Sequence, residues 1–151
     1  MSSLFSSESS ESSSESVVSS PAAVEAAPAA SFEAAVHLFN QRQFFECHEV
    51  LEELWRPLAK GPEKWFLQGV LQVAVGFHHL EQENYTGAKN LFTAGVEKLE
   101  VTLTNRKGFV PPMDLPPFLL SVHAALETVL VLGPDCLGEF PEALIPQIQI
   151  R

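Results

Sequence analysis

The chain is short of cysteine, of basic residues and of tyrosine: it has two Cys, nine Lys plus Arg and one Tyr in 151 residues. Two thiols, Cys47 and Cys136, make neither a disulfide framework nor a four-thiolate metal site. Cys47 also falls at an apolar helical position, where a reduced thiol packs as a small hydrophobe. A reducing compartment is the expectation. The few cations face 19 Asp plus Glu, and the formal charge of -10 repels phosphate backbones and anionic lipid surfaces. Neither nucleic acid nor a membrane is an expected partner, which leaves a protein partner or a homo-oligomer. No apolar run is read as long enough to span a bilayer; the longest candidate, WFLQGVLQVAVGF, is short and contains Gln68 and Gln72. The first basic residue is Arg42, so the beginning of the chain has neither the charged start of a secretory signal nor the arginines of a transit peptide. Cytoplasmic localisation is expected. No glycine-rich phosphate loop occurs either, because Gly69, Gly76, Gly87 and Gly95 are scattered through helical patterns, where they permit close backbone approach.

Texture divides what is there into two parts. Residues 1–30 are almost entirely Ser, Glu, Ala and Pro, and ordering them costs entropy that little apolar burial repays. They read as a disordered tail, and residues 31–151 as a single domain. Ser31 is a candidate cap for a first helix beginning at Phe32 and ending near Phe39. A second helix runs from Phe44 until Pro57, and "KGP" makes the connection. The third, from Pro62 to about Glu83, is apolar around most of its circumference, as a central helix is. The fourth starts near Tyr85 with apolar residues at spacings of three and four. After the loop "NRKGFVPPMD", Asp114 is a candidate N-cap for a fifth helix that Gly133 and Pro134 end near Leu132. The last residues read as extended, anchored by Leu144, Ile145 and Ile148.

The expected fold is all-α: a five-helix bundle of two antiparallel helical hairpins plus a closing helix. An internal echo supports the hairpins. Aligning "QFFECHEVLEELW" with "NYTGAKNLFTAGV", an offset of 41 residues, pairs Phe44 with Tyr85, Cys47 with Ala88, Val50 with Leu91, Leu51 with Phe92 and Trp55 with Val96. The design resembles tetratricopeptide units, whose repeat is about 34 residues. In this register His48 and Glu52 stand opposite Lys89 and Thr93, so a shared scaffold does not account for them.

The chemistry is concentrated in FFECHEVLEELW, residues 44–55. At about 100° per residue, Cys47, Leu51, Leu54, Trp55 and Leu58 fall on one face and Glu46, Glu49 and Glu53 on the wet one. His48 and Glu52 lie one turn apart on the border, flanked by Phe44 and Trp55. Imidazole and carboxylate at i and i+4 project over the same patch and suit zinc, iron or manganese. Further ligands or pocket walls would come from helix three, where Gln68, Gln72 and His79 form a polar stripe with His78 beside it. His79 is the preferred third metal ligand, and Phe44, Trp55, Gln68, Gln72 and His78 the pocket wall. The competing reading makes the same residues structural: Glu52 pairs with His48 or Arg56, and the glutamines and His79 complete a buried hydrogen-bond network.

Other chemistries are not supported. "HEVLE" carries Glu52 where a zinc protease requires its second histidine. Di-iron bundles need Glu three residues before His, and that position is Phe45. Cys47 as a nucleophile would need exposure and a lowered pKa, which its apolar position opposes. His37 and His123 lie on separate helices without evident partners.

"FNQRQFFECHEVLEELW" and "GVLQVAVGFHHLEQENYTGAKNL" resemble the family called domain of unknown function 309, over about residues 32–131. The motif His-x-x-x-Glu-x-x-Trp stands here as His48, Glu52 and Trp55, and the second block supplies His78, His79, Asn84, Gly87 and Ala88. The resemblance implies a small all-helical bacterial or archaeal protein, with no established activity and a motif suggested to bind metal. Two functional readings follow. One is a metal- or small-ligand site with His48 and Glu52 at its centre, metal-assisted hydrolysis being the simplest chemistry if it is an enzyme. The other is a non-catalytic, tetratricopeptide-like interaction module in which both residues are structural.

Overall fold

Ser31 accepts a hydrogen bond from the Ala34 backbone N–H at 3.1 Å, which satisfies an orphan donor and starts α1, Phe32–Asn40. The computed structural model describes residues 30–105 and 107–151; the disordered tail read over residues 1–30 lies, apart from Ala30, outside them. α2 spans Phe44–Trp55 and stops before Pro57. α3 spans Pro62–Glu81 with its proline in the first turn. It ends two residues short of Glu83, which adopts φ 55, a left-handed conformation that no helix continues through. Asn84 then caps α4, Tyr85–Thr104, its Oδ1 accepting from the Gly87 N–H at 3.0 Å. α5 spans Leu115–Leu132 and is stopped by Gly133 at φ 71.

The five α-helices of the described residues and the all-α class are those expected from the sequence. Each helix contributes a phenylalanine to one connected aromatic core: Phe39, Phe44, Phe77, Phe92 and Phe118. Phe39 meets Phe44, Phe77 and Phe118 at ring separations of 5.1, 5.9 and 5.8 Å, while Phe77 stacks on Phe44 at 5.2 Å and meets Phe92 edge-on at 4.8 Å. The contact of Phe39 with Phe118 brings the closing helix onto the first. α3 is the central helix, with thirteen of its 20 residues buried.

The α3–α4 pair closes on glycine. A Cβ added at Gly95 would sit 2.8 Å from a Val73 methyl and 3.1 Å from the Gly69 carbonyl oxygen, so the backbones approach as no larger residue allows. The internal echo holds at Cys47 and Ala88 and at Leu51 and Phe92, all without exposure, but Tyr85 is half-exposed where Phe44 is buried.

Two local expectations change. Asp114 precedes α5, yet its side chain makes no capping bond; its carboxylate lies 4.0 Å from Arg151, and its backbone N–H donates to the Gln149 carbonyl at 3.1 Å. The end of the chain is not simply extended. It makes two 3₁₀ turns, Leu137–Glu139 and Glu142–Leu144, then an antiparallel bridge from Ile150 to Met113. Its anchors are Leu137 and Ile148, both buried, whereas Leu144 and Ile145 are half-exposed. Asn40 holds the segment from both sides, donating to the Ile148 carbonyl at 3.1 Å and accepting its N–H at 2.8 Å.

By length and composition, α5 is the one described helix apolar enough to cross a membrane, with a mean hydropathy of 1.7 over 18 residues. This differs from the expectation that no run is long enough. Pro116, Pro117, Ser121, His123, Glu127 and Thr128 interrupt the apolar residues without outweighing them.

Candidate ligand site on the second helix

Phe44 at the start of α2 stacks on Phe77 near the end of α3, and Trp55 at the end of α2 meets Lys64 near the start of α3, so α2 and α3 run antiparallel; Phe45 also meets His78 at a ring separation of 5.4 Å. In α2 one helical turn carries His48 and the next Glu52, with 0% and 4% exposure. Their burial follows from a narrow shift of the apolar stripe: Phe44, Cys47 and Leu51 define the core face, and the two polar side chains sit along its edge.

His48 Nδ1 lies 3.1 Å from the Phe45 carbonyl oxygen in the preceding turn. A carbonyl only accepts, so Nδ1 carries the proton and donates. In the neutral ring the lone pair is then on Nε2, which lies 3.7 Å from Glu52 Oε1. The other carboxylate oxygen of Glu52 faces the Arg56 guanidinium at 3.4 Å. Glu52 thus pairs on both sides along one helix, at i-4 and i+4. Arg56 is largely exposed, so its contribution to folding is small.

Trp55 completes the motif on the same helix. Its ring lies under the Lys64 ammonium, 4.5 Å from the centroid. Several buried polar atoms have no hydrogen-bond partner among the described residues: Glu52 Oε1, Glu49 Oε2, Trp55 Nε1 and both amide atoms of Gln72. Such atoms cost about 1–3 kcal/mol each when nothing compensates them. Glu49, assigned by its angle to the wet side, is half-buried with one carboxylate oxygen enclosed. Its position midway between exposed Glu53 and buried Glu52 on the helical wheel is the signal that marks it.

On α3, His79 has a different environment. Asn84 spends its Oδ1 on the Gly87 N–H, which turns its amide Nδ2 toward His79 Nδ1 at 3.2 Å. His79 Nδ1 therefore accepts, and Nε2 carries the proton. Gly87 is needed there: a Cβ would stand 2.6 Å from His79 Cγ. His78 is half-buried and tilts against Phe45, which also contacts His48 at 5.2 Å between rings. Gln72 is fully buried and Gln68 half-buried, while Phe44 belongs to the aromatic core.

The structure thus brings together His48, Glu52 and Arg56, with Phe45 linking His48 to His78. Among the described residues no three His, Cys, Asp or Glu side chains gather as a metal-holding group, so His79 does not join His48 and Glu52 in one. Cys47 is excluded as a nucleophile, because burial pushes its thiol up to about 12. His123 does have a partner: its Nε2 lies 3.1 Å from Glu100 Oε2.

Comparison with known proteins matches this region. Residues 32–91 match the family described as Domain of unknown function (DUF309). Over 71 residues the chain is 34% identical to an uncharacterized protein, YpuF, of Bacillus subtilis (strain 168); the alignment covers 47% of this chain and 41% of that protein. The chain therefore spans less than half the length of that relative. The matched segment, residues 32–91, includes His48, Glu52, Trp55, His78, His79, Asn84 and Gly87 and is similar to the domain of unknown function 309 family.

Proposed function

We propose that this small helical protein binds one divalent metal ion on α2, with His48 Nε2 and Glu52 Oε1 as its protein ligands. One observation carries the reading: the Nδ1 proton is spent on the Phe45 carbonyl, so Nε2 faces Glu52 Oε1 at 3.7 Å. Metal-ligating histidines commonly donate their other N–H to a backbone carbonyl in this way, which fixes the tautomer. Two acceptors facing each other repel unless a proton or a cation lies between them. Ligands each ~2.1 Å from a tetrahedral zinc stand ~3.4 Å apart, close to the separation of this pair. Imidazole with carboxylate also suits iron and manganese.

Two protein ligands leave coordination positions for water or for a substrate oxygen, and a metal held in this way supplies Lewis acidity or a lowered water pKa. His48 and Glu52 bind; Arg56 orients Glu52 from its far oxygen. His79, with its proton on Nε2, is a hydrogen-bond donor in this reading instead of a ligand. The reading differs from the structural one in a measurable respect. Chelator-treated protein should melt higher on addition of zinc, iron or manganese, by about 2.7 kcal/mol of stabilisation when the free metal is 100 times its dissociation constant. The gain should vanish in His48→Ala. A folded wild type whose melting is unmoved by all three metals would favour the interaction module, with His48 and Glu52 as a structural pair.

A further inference from the structure

The outward face of α5 is unusually apolar for a helix at the edge of a bundle. Val122, Ala125 and Val129 have no exposure and hold the helix to the core, while Leu120, Leu130 and Val131 are 71%, 49% and 85% exposed. Only His123 and Glu127 are titratable among its 18 residues. Leu120, His123, Glu127 and Leu130 succeed one another at spacings of three, four and three, which is the seam of a two-helix coiled coil.

We propose that this seam is the interface of a two-fold dimer in which α5 packs antiparallel on α5 of a second copy. The order of the residues selects that occupant. A two-fold axis crossing the seam at the level of Ala125, on the opposite side of the helix from that buried residue, sets Leu120 of one copy against Leu130 of the other, and His123 against Glu127, twice each by symmetry. Apolar meets apolar, and the two titratable side chains meet each other. A parallel pairing would instead set Glu127 against Glu127. His123 already lies 3.1 Å from Glu100 of its own chain, so the dimer places the imidazole between two carboxylates. A lipid surface fits less well, since Val122, Ala125 and Val129 would have to leave the core before the helix could insert, and a chain of charge -10 is repelled by anionic headgroups.

A single helix of about 27 Å against its mate buries less than the ~800 Å² per partner of a standard interface. The association is correspondingly weak, in the micromolar range or above. This inference is independent of the metal site on α2.

Sedimentation velocity of the full chain across a wide concentration range tests it, with circular dichroism as the folding control. The wild type should shift from monomer to dimer, and Leu130→Glu should raise the dissociation constant at least about tenfold. The double variant Leu120→Glu/Leu130→Lys should recover much of that loss, because an antiparallel pairing sets each new acid against a new base of the second copy. A wild type that stays monomeric throughout, or a dimer indifferent to Leu130→Glu, would overturn the proposal. So would a double variant that remains monomeric beside a dimeric wild type, or a monomer that floats with phosphatidylcholine vesicles.

Discussion

The two hairpins of this domain carry the same backbone plan and differ in what they enclose. Where α1–α2 carries His48 and Glu52, the aligned positions of α3–α4 are Lys89, half-exposed, and Thr93, exposed with its hydroxyl donating to its own helix at the Lys89 carbonyl. The second hairpin closes on Gly69, Gly76 and Gly95, against Leu99, Phe92 and Val73. The first buries an imidazole and a carboxylate in a comparable position. The aligned positions of the second hairpin therefore carry no such pair. The histidines repeat the contrast in their hydrogen bonds: His48 donates from Nδ1 to the Phe45 carbonyl and faces Glu52 with Nε2, whereas His79 accepts at Nδ1 from the Asn84 amide.

The contrast can be broken or sharpened by substitution. The largest effect should come from the scaffold both hairpins share: Phe77→Ala, which removes the ring touching Phe39, Phe44 and Phe92, should cost about 3–5 kcal/mol in urea unfolding. Gly95→Ala should cost about 1–3 kcal/mol, since part of what its Cβ meets is the Gly69 backbone, which yields less readily than a side chain. In the first hairpin, Glu52→Gln keeps the volume and loses the charge. With metal removed it should cost less than about 1 kcal/mol, because the glutamine amide can donate to His48 Nε2 in place of the carboxylate contact and the other ion pair lost is with a mostly exposed Arg56. A cost as large as that of Gly95→Ala would make Glu52 part of the scaffold and erase the contrast. Of similar size, Lys64→Ala should cost about 0.5–1 kcal/mol through the lost contact over Trp55. Thiol labelling separates core from surface without a stability measurement: under native conditions a maleimide should modify exposed Cys136 and spare buried Cys47.

Much of the fold is legible in the sequence because its signals are local. Ser31 and Asn84 cap the helices that follow them, Pro57 and Gly133 stop helices, and spacings of three and four mark the buried faces. The C-terminal segment is less legible, since Asn40 binds Ile148 across 108 positions of sequence and nothing near either residue announces it. The site divides in the same way. That His48 and Glu52 share a face follows from their spacing; which nitrogen of each histidine carries the proton depends on Phe45 for one and on Asn84 for the other. A hydrogen-bond partner of that kind is a matter of geometry, and residue type does not encode it. Glu49 shows the limit of the helical wheel, since an angle near the border does not say whether a neighbour covers the carboxylate.

In the proposed function, Glu52 and Nε2 of His48 hold one cation between them. Metal content of untagged protein by plasma mass spectrometry, with wild type, His48→Ala and Glu52→Gln purified identically, tests it most directly. The account predicts close to one equivalent of metal in the wild type and loss of it in both variants, with all three proteins folded. Metal-free wild type after purification and reloading, or metal retained in both variants, would contradict it.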